Sequence, residues 1–212
     1  MKKLLVGTLS AAALAAVPQG ALANNGSPVT QRVYEAARCI LNEDRGEAVQ
    51  LLRTLPLGDD EADLSPLADS PARTCVDAAA GTTAIMMRGA LAQALFFRDF
   101  RRFGRQPTRP ERLVDLDLPV QDSAGGDYPV DLYRWGDCVV RNDTRNTHAL
   151  LTSQPGSSEE TAALTTLQPF MAACHRGEGE LTVRPSEARS VFAQAAYDIM
   201  YRYWSAELNA RR

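Results

Sequence analysis

The four cysteines constrain this chain more than any other feature of its sequence. Cys39 and Cys75 stand 36 positions apart, and Cys138 and Cys174 repeat that spacing. A shift of 99 residues lays the second pair on the first, and it also matches Tyr34 with Tyr133, Asp44 with Asp143, Leu51-Leu52 with Leu150-Leu151, and Pro56 with Pro155. Beyond the second cysteine the shift becomes 101, a two-residue insertion. It then matches Arg88 with Arg189, Ala92-Gln93-Ala94 with Ala193-Gln194-Ala195, and Arg101 with Arg202. This pattern predicts a tandem duplication whose period is far longer than the roughly 20 to 50 residues of solenoid repeats.

Four cysteines permit three pairings. Duplication selects Cys39 with Cys75 and Cys138 with Cys174, because each copy then repeats its own bond. A metal or redox site fits poorly, since the chain has no C-x-x-C motif. Closing a loop of this length removes unfolded-state entropy worth roughly 4 kcal/mol in the chain-entropy model.

Disulfides need an oxidising compartment, and the amino terminus supplies a route to one. Lys2 and Lys3 precede an apolar run from Leu4 to Val17, followed by Pro18, Gly20, and the small pair Ala21 and Ala23. This is the layout of a secretory signal peptide over residues 1–23, with cleavage expected after Ala23. The apolar run is shorter than the roughly 20 residues of a bilayer span. The mature chain is therefore expected to be periplasmic or secreted, with no transmembrane segment. Both lysines of the chain lie in the signal, so the mature part is left with arginine as its only strong base, outnumbered by the 26 acidic residues. Net acidity argues against nucleic acid as a partner. The lack of lysine excludes Schiff-base chemistry, Ser-Lys dyads and Walker-type phosphate loops.

Apolar periodicity gives an all-α fold, two tandem copies of a roughly four-helix, disulfide-pinned unit. The copies are expected over 24–103 and 130–212, with a connector at 104–129. In the first copy Ser27 and Pro28 open a helix carrying Val29, Val33, Ala36, Ala37, Ile40 and Leu41 at helical spacing. Asp44 and Glu47 resemble a capping box that starts a second helix, which Pro56 stops. A third, proline-interrupted segment holds Leu64, Leu67 and Cys75, and a fourth runs from about Thr83 to Phe103. In the second copy the third segment spans Glu159 to Cys174, and the closing helix runs from Pro185 to about Leu208. Within the connector, Leu116 to Val120 is the one stretch suited to a short strand.

The run Pro155-Gly156-Ser157-Ser158-Glu159-Glu160, the Cys174 that follows, and the closing helix Arg189 to Tyr203 resemble a group of exported, internally duplicated Cys-pair helical proteins of alphaproteobacteria, notably sphingomonads. The resemblance implies export and duplication, and it carries no activity with it.

Candidate chemistry can be weighed against the duplication. The two histidines, His148 and His175, fall opposite Val49 and Val76, so both read first as packing positions. A hydrolase-type site around either one is the alternative, with the imidazole as general base. Neither H-E-x-x-H nor G-x-S-x-G occurs. The acid pairs Asp59-Asp60 and Glu159-Glu160 are read as charges that complement helix starts. Phe96, Phe100 and Phe103 answer to Tyr197, Tyr201 and Trp204 at i, i+4, i+7, a spacing that predicts core or the seam between copies. Arg98, Arg101, Arg102, Arg105, Arg109 and Arg112 place six guanidinium groups within fifteen residues. They are the candidate contact for an anionic surface or an acidic envelope protein, although a solvated face is the simpler reading. No catalytic, metal or cofactor-binding set emerges. The expectation is a non-catalytic binding or structural role in the cell envelope.

Overall fold

The computed structural model of the chain describes residues 28–101, 128–175 and 183–210, and among them it is all-helical. The first helix, α1 (Pro28–Glu43), turns Val33, Ala36, Ala37, Ile40 and Leu41 inward, the stripe its apolar spacing predicts. Asp44 ends α1 and caps α2 (Arg45–Thr54), its Oδ1 accepting from the backbone N–H groups of Gly46 at 2.6 Å and Glu47 at 3.2 Å. The expected capping box is only half made. The Asp44 N–H is already bonded to the Ile40 carbonyl, so Glu47 has no donor to reach back to.

The third segment of the first half differs from expectation. It forms three short 3-10 turns, Ser65–Leu67, Pro71–Cys75 and Asp77–Ala79, in place of a helix. Pro66 and Pro71 stand at turn starts, where proline's fixed φ and missing N–H are tolerated, and they prevent one continuous α-helix. Asp59 and Asp60 do not sit at a helix start either. They belong to a loop whose main chain caps α3 (Ala84–Asp99), with Ala84 N–H donating to the Asp60 carbonyl at 2.7 Å and Ile85 N–H to that of Gly58 at 2.9 Å. An isolated antiparallel bridge between Glu61 and Thr83 holds this loop in place. The α3 helix ends at Phe100, short of the expected Phe103, and Arg101 follows in the left-handed region with φ 62°.

The second half runs through α4 (Tyr128–Asn142), α5 (Thr144–Thr152), α6 (Ser158–Cys174) and α7 (Pro185–Ala210). Asp143 caps α5, accepting from Asn146 N–H at 2.9 Å, and Ser157 caps α6, accepting from Glu160 N–H at 3.2 Å. Residues 102–127, which include Phe103 and the Leu116 to Val120 stretch, lie outside the described residues, as does the signal segment. No helix among the described residues is long and apolar enough to cross a membrane.

Two disulfides join Cys39 to Cys75 and Cys138 to Cys174, with Cα–Cα distances of 5.7 and 5.8 Å. The first pins the end of α1 to a 3-10 turn, and the second pins α4 to the end of α6. Trp135 adds a second tie there, its indole N–H donating to the Met171 carbonyl at 2.9 Å.

The centre of the molecule is the crossing of α3 and α7, its most extensive helix-helix contact. Gly89 faces Ser190 so closely that a Cβ at position 89 would lie 2.2 Å from the serine Cβ and 2.3 Å from its Cα. Only glycine permits that approach. On the outer side of this crossing α1 packs against α3, and α4 packs against α7. Phe96, Leu91, Leu95, Val191 and Phe192 fill the space between.

Candidate functional site

Two arginines sit inside this core. Arg189, on α7, is fully buried, and all five of its N–H groups are matched by acceptors. Its Nε donates to Gln93 Oε1 at 3.2 Å, Nη1 to Ser153 Oγ at 3.1 Å and Glu160 Oε1 at 3.0 Å, and Nη2 to the carbonyls of Leu151 at 3.2 Å and Ser153 at 2.8 Å. Arg88, on α3, is buried too, with Nε donating to Gln194 Oε1 at 3.1 Å and Nη1 to the Leu55 carbonyl at 2.5 Å. Each guanidinium thus caps the carbonyl end of the second helix in its own half, where a cation complements the helix dipole. Each also takes its glutamine from the other half. The aromatic faces are exchanged in the same way. Arg189 lies 5.2 Å from the Tyr34 ring centroid, and Arg88 lies 5.9 Å from that of Tyr133. Burial pushes both phenols upward, Tyr133 to about 12.

Above this network lies a half-open groove of about 900 Å³, between α1, α3 and the turn that follows α5. Tyr34, Leu41, Ala90 and Leu151 contribute buried surface to it, and Phe97 and Pro155 are half-buried at its sides. Arg38 and Arg98 are exposed, while no Asp or Glu among the described residues lines the groove. Arg98 is not free to swing, because Nη1 donates to the Leu41 carbonyl at 2.6 Å, one helical turn along α1 from Arg38. Gln93 and Ser153, which also line the groove, are held from beneath by Arg189. With Gln93 Oε1 occupied by Arg189, the Nε2 amide is left as its donor.

No family model, curated protein or solved structure matches the chain.

Sequence reasoning had pointed elsewhere, to the arginines after α3. Of those six, Arg98 belongs to the groove and Arg101 is exposed at the end of α3. Arg102, Arg105, Arg109 and Arg112 lie outside the described residues. His148 packs edge-on against Phe96 and Phe97, with Nε2 3.4 Å from the Arg101 carbonyl. His175 caps α6 through its backbone N–H. Of the aromatic stripe, Phe96 and Tyr197 are buried, whereas Tyr201 and Trp204 are exposed, so only part of it serves as core or seam. Glu160 stands in the first turn of α6 as expected of a charge at a helix start, and it is also buried on Arg189, with its Oε2 accepting from Gly156 N–H.

At the positions that correspond to the groove by the two sequence shifts, the second half is different. Asp137 stands opposite Arg38, Arg141 opposite Asn42, Asp198 opposite Phe97, and Ile199 opposite Arg98. Asp137 pairs with Arg141 at 2.7 Å. The Asp198 carboxyl is pushed up to about 6 by burial, against the opposing pull of Arg88 and Arg202 and with Asp137 adding to the rise.

Proposed function

We propose that this chain is an exported, non-catalytic binding protein of the cell envelope, built from two copies of one disulfide-pinned helical unit, and that its ligand occupies the groove between α1, α3 and the α5–α6 turn. The observation that carries this reading is where the halves agree and where they differ. They agree at the buried Arg, Gln and Tyr positions that hold them together, where the Arg–Gln and Arg–Tyr contacts are reciprocal. They differ at the groove, where one half offers Arg38 and Arg98 and the other offers Asp137 and Ile199. Packing accounts for the shared positions, and it leaves unexplained why α1 and α3 bring arginines to the groove while their counterparts α4 and α7 carry Asp137 and Ile199.

The groove's chemistry suits holding rather than turnover. Guanidinium groups stay protonated and act poorly as bases. Its serine and threonine hydroxyls are engaged, Ser153 Oγ donating to the Leu150 carbonyl at 2.6 Å and Thr152 Oγ1 to that of His148 at 2.9 Å. Two disulfides, the signal-like segment at 1–23 and the resemblance to exported alphaproteobacterial proteins together favour an oxidising compartment outside the cytoplasm. Units at 24–103 and 130–212 related by a two-fold explain why Gly89 meets Ser190, its counterpart under the second shift, since equivalent residues touch where such an axis passes.

The test is native mass spectrometry on protein purified from its own host, beside an Arg38→Gln/Arg98→Gln double variant. A small-molecule mass retained by the wild type and lost from the variant is expected. Recovery of the same bare mass from both would overturn the groove as the binding site.

A further inference from the structure

We infer that the ligand is a short peptide bearing a free carboxylate, held by Arg38 and Arg98, with an apolar side chain against Phe97 and Pro155. This rests on the groove being the binding site and adds the chemistry of its occupant.

Three features point to that class. The first is charge, since two guanidinium groups stand in a groove with no lining carboxylate, on a chain whose overall charge is negative. Guanidinium pairs with carboxylate through two parallel hydrogen bonds, the geometry that makes arginine the usual reader of such anions. Arg98 is already anchored by the Leu41 carbonyl, so less freedom is lost when it binds.

The second feature is the density of carboxamides. Gln31, Asn42, Gln93 and Gln154 all line the groove. Gln93 presents its donor because its oxygen is spent on Arg189, and Gln31 Nε2 is engaged by Glu35 at 3.0 Å, which leaves its oxygen to accept. A row of amide donors and acceptors beside a cation matches a peptide backbone, whose C=O and N–H groups alternate. A plain acyl chain would leave without a partner any of those amides that it shields from water.

The third feature is size. The groove's volume of about 900 Å³ lies in the range of small-ligand sites, too confined for a folded partner and ample for a few residues. Its buried floor of Leu41, Ala90 and Leu151, with Phe97 beside it, gives an apolar side chain somewhere to go.

Isothermal titration calorimetry on the disulfide-intact protein tests the inference with N-acetylated tripeptides ending in Leu or Phe, each as the free acid and as the C-terminal amide. Sodium laurate and inorganic phosphate serve as competing probes. The free acids should bind, and the amides should bind at least tenfold more weakly. The Arg38→Gln/Arg98→Gln variant, which gives up the Arg98–Leu41 hydrogen bond and is checked for folding by circular dichroism, should lose the free acids by tenfold or more, and Arg38→Gln alone, which leaves that bond intact, should weaken them as well. Equal binding of acid and amide would overturn the carboxylate assignment. Laurate or phosphate bound through the same arginines, with the peptides silent, would overturn the peptide while leaving the groove as the site. If no probe binds and the native protein carries no ligand mass from its host, both readings fall.

Discussion

At the scale of single residues, the informative groups are charges placed where the sequence reads as apolar. Asp198 is one. Its carboxyl titrates near pH 6, where an ordinary aspartate titrates near 3.8, because burial penalises the ionised form more than Arg88 and Arg202 favour it. The native state therefore holds this proton more tightly than the unfolded chain does. The stability it contributes is complete below the ordinary value and is lost as pH rises through about 6. Asp198→Asn removes the titration and the buried charge together. The variant should melt above the wild type at pH 8, by the equivalent of a stabilisation on the order of 2 kcal/mol. The two curves should approach each other as pH falls from about 6 toward the ordinary aspartate value near 3.8, and thermal unfolding of both proteins across that interval checks it. Parallel curves would mean that Asp198 stays ionised in the fold. The buried arginines were half legible in the sequence. Their pairing as Arg88 with Arg189 was visible in the shifted alignment, and so was that of their glutamine partners. Their burial was not, because periodicity assigns charge to the wet side of a helix and says nothing about carbonyl ends that converge on it from α2 and α5.

At the scale of elements, the sequence revealed most where one helix carries a clear apolar stripe and a cap. The α2 and α5 helices fall into that class, α1 and α4 bury such a stripe, and Asp44, Asp143 and Ser157 open helices as their residue types suggest. It revealed least in the third segment of the first half, where proline spacing turned an expected helix into 3-10 turns. The groove was invisible beforehand, since it needs α1, α3 and the α5–α6 turn to meet and its two arginines stand 60 positions apart in sequence. The α3–α7 crossing gives a sharper expectation. Gly89→Ala puts a methyl 2.3 Å from the Ser190 Cα, which no rotamer change relieves, so the helices must separate. A loss of roughly 2–3 kcal/mol is expected. Gly136→Ala in the α4–α7 contact meets chiefly the Val191 Cγ1 at 2.2 Å, a methyl that yields only if the buried valine changes its χ1 rotamer, with no backbone atom nearer than 3.4 Å. It should cost less, and urea denaturation of the two variants decides the order.

At the scale of the whole molecule, the two disulfides close loops of equal length, so the chain-entropy model assigns each the same stabilisation, roughly 4 kcal/mol. Their structural burdens differ. The Cys138–Cys174 bond has Trp135 beside it as a second tie to α6, whereas the Cys39–Cys75 bond secures short 3-10 turns. Cys39→Ala/Cys75→Ala should therefore raise amide exchange across 65–80, while Cys138→Ala/Cys174→Ala leaves the middle of α6 protected. Equal exchange in the two variants would show that the turns hold without their bond. A chain is synthesised from its amino terminus, and the exchanged glutamines give that order a meaning. Arg88 is made long before Gln194, and Gln93 long before Arg189. The first half thus holds Arg88 without its glutamine and Gln93 without its arginine until α7 is in place, and a chain cut short before α7 cannot close its own interior.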